Sequence, residues 1–337
     1  MPTNFNVLSW NIRDLGADQV ADDDFIELVA KIIRQENIDL VSILETKSDK
    51  GAELGKRITK KLGAGWDKHS SVPSAPTSNK PENYVFMWKT AKITNATGFK
   101  FADNIDAATG KTVGFPRQHT GRRPSRYPYL GEFTVGGRQI TFVSFHATFT
   151  SVDIAESNQK LAAITEVRNK ANVVVMGDFN DHPINSRTYR GARSFQPLVG
   201  LGFAHKIATA TSLSQAFDPT WTTTVECRSS VYDNFFVKSA AGQISAAVGS
   251  VVDGIAALRG GYLESTGRLV FNNWAKRANA YELTPARVRY RALRHRVWAP
   301  VPLFGPTERI ATIEDAHEVH WVCLSDHLPV KLATTVT

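Results

Sequence analysis

The stretch NVVVMGDFND, residues 172–181, decides the fold. Four apolar residues, Val173 to Met176, read as a short, fully buried strand. The run ends abruptly in Gly177, Asp178, Phe179, Asn180 and Asp181. Gly177 permits a tight exit. Asp178 and Asn180 are expected to point the same way, as alternate strand residues do. A strand anchored in a core therefore delivers two polar side chains to one place at its tip.

Outward from this stretch, further strands are expected at residues 4–12, 38–44, 84–89, 129–135 and 139–146, the last two joined by a hairpin at Gly136-Gly137. Others are expected at 231–238, 319–324 and 328–336. Asp22 to Asp24 precede Phe25, Ile26, Leu28, Val29, Ile32 and Ile33, apolar residues at helical spacing behind an acidic start. Residues 53–62 and 153–170 also suit helices, and the Ser- and Pro-rich residues 70–81 suit a loop. Strand–helix–strand units with long hydrophobic strands mean layered helices and sheets.

The 337 residues are read as a single catalytic domain, with a basic insertion at about 240–318 that holds the arginine-rich RVRYRALRHR, residues 287–296. That stretch reads either as a solvated helix face or as a grip on phosphates. The formal net charge of +8 suits an anionic partner, although a mildly basic balance needs none. Two distant cysteines, Cys227 and Cys323, make neither a disulfide framework nor a zinc site; two reduced thiols are the simplest expectation, and a single pairing stays open. The first residues lack a basic segment followed by an apolar one, and no run of about 18 apolar residues occurs. A cytoplasmic location without a membrane span is expected; delivery as a toxin by a route without a signal stays open.

Polar residues recur at strand tips: Asn11, Glu45, His146, Asp178 and Asn180, Asp233, and the Ser325-Asp326-His327 entry to the last strand. Each alone has an ordinary structural explanation. Together, on the ends of several strands, they can meet at one edge of a sheet, where ligands bind in layered folds. Carboxylate and amide oxygens suit Mg2+ or Mn2+. Two histidines beside carboxylates suit proton transfer near neutral pH.

The ordered set LSWNIRD, SILETK, ENYVFMWK, RYPYLGEF, FVSFHAT, VVMGDFND, VYDNFF and LSDHLPV resembles the endonuclease/exonuclease/phosphatase superfamily, in particular its deoxyribonuclease I-like and cytolethal-distending-toxin nuclease branches. The resemblance covers roughly residues 4–238 and 319–336. It implies an α+β fold: a four-layer α/β/β/α sandwich of two packed mixed sheets flanked by helices. It also implies a Mg2+-dependent endonuclease, with Mn2+ able to substitute, that hydrolyses DNA with little sequence specificity by in-line attack of water and acts as a monomer; RNA stays open as a substrate. Residues 240–318 are then free for a partner protein. The alternative within the superfamily is a phosphoesterase acting on phosphoinositide, sphingomyelin or nucleotide substrates.

Carried over by position, Glu45 would bind metal, helped by Asn11 and Asp326. Asp178 and Asn180 would contact the scissile phosphate and the attacking water. His327, paired with Asp233, and His146, oriented by Glu82, would be the two catalytic imidazoles. Arg126 would bind a phosphate oxygen, with Arg122 and Arg123 as alternatives and Asn11 contributing. The chain departs from the deoxyribonuclease pattern at Lys80, where a Tyr is expected; a lysine there contacts phosphate as a point charge. No cysteine comes directly after GDFND, the next being Cys227, so the secreted enzyme's disulfide is not reproduced.

Overall fold

A computed structural model describes residues 2–47, 49–73, 82–102, 126–147, 153–182, 191–214, 218–259, 313, 317, 320 and 325–337. Two six-stranded mixed sheets dominate. In chain order the strands of the first sheet are β1 (Thr3–Leu15), β2 (Leu40–Lys47), β3 (Trp66–Ser70), β4 (Glu82–Lys89), β13 (Ile244–Val251) and β14 (Val330–Val336), arranged β13-β14-β1-β2-β4-β3. The second contains β5 (Ile93–Phe101), β6 (Tyr129–Val135), β7 (Arg138–His146), β8 (Val173–Asp178), β9 (Ala204–His205) and β12 (Asp233–Lys238), arranged β5-β6-β7-β8-β12-β9. β10 (Ser212–Leu213) and β11 (Arg228–Ser230) form a small separate pair.

Strand parity places the core. In β1, Phe5 and Val7 face the other sheet, as do Tyr84, Phe86 and Trp88 of β4. From the second sheet, Ile140 and Phe142 of β7, Val174 and Met176 of β8, and Phe235 and Val237 of β12 fill the same layer. The opposite faces are covered by helices. Leu8, Trp10 and Ile12 pack with α2 (Asp23–Gln35) and α3 (Gly51–Leu62) through Phe25, Val29, Leu54 and Ile58. Val143, Phe145, Val173, Val175 and Phe236 pack with residues of α5 (Thr165–Asn169) and α6 (Gly191–Gly200) such as Val167, Phe195 and Leu198. The result is the α/β/β/α sandwich. The remaining helices are short: α1 (Ala17–Ala21), α4 (Asp153–Lys160) and α7 (Gly254–Arg259).

Three local expectations change. The helix expected over 153–170 is interrupted: α4 ends, a 3-10 turn spans Leu161–Ala163, and Ile164 is extended before α5. The break lets Leu161, Ile164 and Val167 all enter the core. Of the strand expected at 319–324, only His320 lies among the described residues, and it is helical. Residues 244–251, placed in the insertion by the sequence, form β13, which pairs with β14 and completes the first sheet. The arginine-rich residues 287–296 lie outside the described residues. Cys227 is a buried free thiol. Among the described residues no helix is long and apolar enough to cross a membrane.

Gly177 is the tightest point in the interior. Its φ is 139°, and a Cβ there would lie 1.9 Å from the Phe145 carbonyl oxygen in the neighbouring strand. Gly177→Ala is expected to cost more than about 3 kcal/mol in urea denaturation, because both backbone strain and a backbone clash must be accommodated. Gly65→Ala, where a Cβ meets nothing within 4 Å, is the control and should change stability by less than about 1 kcal/mol. Equal costs at the two positions would contradict this account of the Gly177 exit.

Candidate active site

The parity that fills the inter-sheet layer also builds the site. Continuing the inward series along each strand, past Ser9 in β1 and Ser144 in β7, reaches Asn11 in β1, Glu82 in β4, His146 in β7, Asp178 in β8 and Asp233 in β12. β1, β7 and β8 reach this edge with their C-terminal ends, while β4 and β12 start from it, consistent with their antiparallel pairing. His146 sits opposite Asp178, which sits opposite Asp233. All five residues except the half-buried Glu82 are buried.

Glu45 joins them by breaking the parity. Val41 and Ile43 face the helices, so an unbroken β2 would send Glu45 the same way. Instead Glu45 is left-handed at φ 59°, and the ladders to β1 and β4 both shift register around it. Such a bulge re-aims a side chain. Arg13, Asp14 and Asn180 are also left-handed, at φ 43°, 50° and 49°. Strained non-glycine backbone clusters at functional sites.

Hydrogen bonds fix the set. Asn11 Nδ2 donates to Asp178 Oδ2 at 2.9 Å, and Asn11 Oδ1 accepts the Arg13 N–H. The Asn180 N–H donates to Asp178 Oδ1 at 2.8 Å, while its side-chain amide donates to the Ala147 carbonyl. The expected reason for the common direction of Asp178 and Asn180 is therefore corrected. The strand ends at Asp178, and Asn180 is placed by a turn built on the Asp178 carboxylate rather than by strand alternation.

His146 and His327 flank Asp178. Each Nε2 lies 3.6 Å from Asp178 Oδ2. His146 Nδ1 meets Glu82 Oε2 at 2.9 Å, and its Nε2 receives Arg126 Nη1 at 2.7 Å. A guanidinium has no acceptor, so this contact makes Nε2 the acceptor and places the ring proton on Nδ1, toward Glu82. His327 Nδ1 donates to Asp233 Oδ2 at 2.7 Å. Arg126 also donates to the Ala147 carbonyl and to Glu82 Oε1, and its Nη2 lies 3.6 Å from Glu45 Oε1. Asp326 pairs with Arg13 at 3.3 Å. Lys80, Arg122 and Arg123 lie outside the described residues.

Burial and charge set the protonation states. Burial raises the Glu45 pKa, and the lowering influence of His146 and Arg126 only partly offsets it. Burial also opposes ionisation of Glu82, but Arg126 and His146 outweigh it and hold the carboxyl at about 2. Asp178 is likewise held low against burial by His327, His146 and two hydrogen bonds. Burial lowers the His327 pKa, yet Asp233 and Asp178 overcome it and leave the ring well above its ordinary range.

The site fits a hard divalent cation. Glu45, Glu82 and His146 each offer a ligand atom, all within 4.8 Å of one another. Asp326 Oδ1, 4.0 Å from His327 Nε2, is buried without a hydrogen-bond partner among the described residues. Among the described residues, four carboxylates, Glu45, Glu82, Asp178 and Asp233, face two cationic side chains, Arg126 and His327. One divalent cation balances the excess. Of the expected metal set, Glu45 and Asp326 keep available oxygens, while both ends of the Asn11 amide are already engaged.

Several structural contributors carry no sequence signal. Trp10 Nε1 donates to the His327 carbonyl, Ser325 Oγ to the Asn11 carbonyl, and His320 Nδ1 to the Ser325 carbonyl. Together they hold the turn that carries Asp326 and His327.

Polar strand ends converging on a desolvated carboxylate cluster make this edge the candidate site for a phosphate ester and a divalent cation. Comparison with known proteins agrees. Residues 8–327 match the model of the Endonuclease/Exonuclease/phosphatase family, and the chain belongs to this family, whose members are hydrolases of phosphate esters that generally depend on a divalent metal. The structure is similar to an endonuclease/exonuclease/phosphatase family protein from Bacteroides thetaiotaomicron (TM-score 0.57, 16% identity, covering 100% of this chain and 96% of that one). It is also similar to a mannosyl-6-phosphatase from the same organism (TM-score 0.55, 15% identity, covering 98% and 99%). A third similar structure is D. rerio TDP2 complexed with a single-strand DNA product (TM-score 0.51, 12% identity, covering 99% and 100%). At these identities the likeness establishes the fold alone. Comparison with curated proteins finds no match.

His320 generates a pH prediction. It is fully buried, and burial lowers its pKa to about 4, against an ordinary value near 6.5. Between these values the unfolded chain binds a proton that the native ring refuses, so this residue's contribution weakens the fold as pH falls from 6.5 towards 4. At pH 5 the loss attributable to His320 is expected to be roughly 2 kcal/mol relative to pH 7.5. Urea denaturation of wild type and His320→Gln at both values checks it; the same pH dependence in both proteins would contradict it.

Proposed function

We propose that this chain is a Mg2+-dependent endonuclease that hydrolyses DNA with little sequence preference, Mn2+ substituting for Mg2+. The observation that carries the reading is Asp178 Oδ2 at 3.6 Å from both imidazole Nε2 atoms, with Glu45 Oε1 3.3 Å from the His146 nitrogen. A carboxylate between two imidazoles, next to a desolvated second carboxylate, can hold a water and a phosphoryl oxygen together. The net charge of +8 and the fold shared with TDP2, whose structure holds a single-strand DNA product, favour a nucleic-acid polyanion.

Each residue then has a task. Asp178, fixed by Asn11 and Asn180, orients the attacking water and takes its proton. His327, held by Asp233, donates from Nε2 to the phosphate as negative charge grows on it. His146, oriented by Glu82, lines the opposite side. Arg126 exchanges its longest contact, to Glu45, for a phosphate oxygen. Donors fixed in advance in this way need no reorganisation during the reaction. Glu45, with Asp326, would hold the cation, which would neutralise charge on the phosphoryl oxygens, worth several kcal/mol.

The second reading is a phosphoesterase for small substrates: phosphoinositides, sphingomyelin or nucleotides. Similarity to a mannosyl-6-phosphatase favours it, because the same fold there serves a sugar phosphate.

Purified protein is expected to nick plasmid DNA at low salt with Mg2+ or Mn2+ and to stop when EDTA is added. Glu45→Ala and His327→Ala are each expected to lower the rate by roughly 10²–10⁴-fold. An uncut plasmid beside turnover of nucleotide or lipid headgroups would move the assignment to the second reading. Unchanged rates in both variants would refute the assigned site.

A further inference from the structure

Thr211 lies in the segment that precedes β10, fully buried, in a stretch without any catalytic signature. Its hydroxyl oxygen accepts the backbone N–H groups of Tyr232 at 3.1 Å and Asp233 at 3.0 Å. Those two donors fill its lone pairs, so the single hydroxyl proton must be donated. The nearest acceptor is Asp233 Oδ2 at 2.8 Å; the Ser230 carbonyl is farther, at 3.3 Å. Asp233 Oδ2 is the same oxygen that accepts the His327 Nδ1–H. The other oxygen, Oδ1, is buried without a hydrogen-bond partner. Among the described residues, Thr211 and His327 are therefore the only side chains that donate to this carboxylate.

The main chain of the same segment grips the other half of the pair. The Thr211 carbonyl accepts the Leu328 N–H at 2.8 Å, and the Leu213 N–H donates to the Asp326 carbonyl at 2.7 Å. Ser212 forms an isolated bridge with His327. The carboxylate is tied by the Thr211 side chain and the imidazole's turn by the backbone around it.

We infer that Thr211 is a positioning residue that sets the relative placement of Asp233 and His327. The inference rests on the hydrolytic role proposed for that pair. Thr211→Val keeps the shape but removes the donor. It leaves Asp233 with His327 as its only side-chain donor and strands two backbone N–H groups. The imidazole is then free to tilt from Asp178, while residues that bind substrate elsewhere are untouched. The effect belongs in kcat rather than KM.

The test uses full-length wild type, Thr211→Val and Thr211→Ser with Mg2+ on a fluorescently labelled DNA duplex. It is combined with proton NMR of the downfield His327 Nδ1–H resonance, identified by its absence in His327→Ala. Thr211→Val is expected to lower kcat roughly 10- to 100-fold, the rate equivalent of one hydrogen bond to a charged group, with KM little changed. The resonance is expected to move or broaden, and Thr211→Ser is expected to restore both readouts. Wild-type kcat and an unmoved resonance in Thr211→Val would overturn the inference. So would a Thr211→Ser enzyme as impaired as Thr211→Val, since the methyl and not the hydroxyl would then matter. If Thr211→Val does not fold, Thr211→Ala with the same resonance decides. If the wild type cleaves no DNA, the proposed function falls, yet the resonance still reports whether Thr211 holds the pair.

Discussion

Two sheets packed face to face leave each strand one side for the shared interior, and the chemistry of this protein depends on where that interior ends. Aromatic and branched side chains fill the layer along most of its length. At one edge the same inward positions switch to Asn11, Glu82, His146, Asp178 and Asp233. Rigidity comes from the apolar part: close-packed interiors hold their side chains in fixed rotamers. The polar edge inherits that rigidity without any loop having to provide it. Ser42 and Ser144, joined by a 2.7 Å hydrogen bond across the layer, mark the transition from oily core to polar rim.

Burying this much charge is costly, since an isolated ion in a low-dielectric interior loses its hydration. The structure offsets the cost in pairs: Glu82 with Arg126 and His146, Asp233 with His327, Asp178 with two amide donors. Glu45 is the exception. Among the described residues it receives one backbone N–H, from Asp14 at 3.1 Å, and only long ion-pair contacts otherwise. A carboxylate short of partners among the described residues, on a left-handed residue of a bulged strand, is the group that a bound cation would stabilise under the proposed function. The local strain is sustained by the strands on either side, which are too well packed to relax around it.

Much of this was readable in the sequence, and the unreadable parts share a physical cause. The buried strands announced themselves through unbroken apolar runs such as Val173–Met176, and the polar tips stood out against them. Convergence of those tips came from resemblance to a family, because spacing along a chain does not say which strands become neighbours. Edge strands were missed: ITNATGFKF of β5 alternates irregularly and half faces solvent, and α6 hides behind its Gly and Pro residues. The bulge at Glu45 gives no glycine to betray a left-handed residue. Thr211 and His320 take their places through hydrogen bonds fixed by tertiary contacts, and a threonine or histidine in sequence looks the same whether or not such contacts exist.

The central claim is that the polar edge of the inter-sheet layer is one site, where a divalent cation and a phosphate meet. A crystal grown with Mn2+ and a non-hydrolysable phosphorothioate dinucleotide, with anomalous scattering collected at the manganese edge, tests it directly. The account predicts a manganese peak against the Glu45 carboxylate, with the phosphorus group between Asp178 and His327. A manganese peak away from Glu45, or a phosphorothioate bound on a different edge of the sandwich, would contradict it.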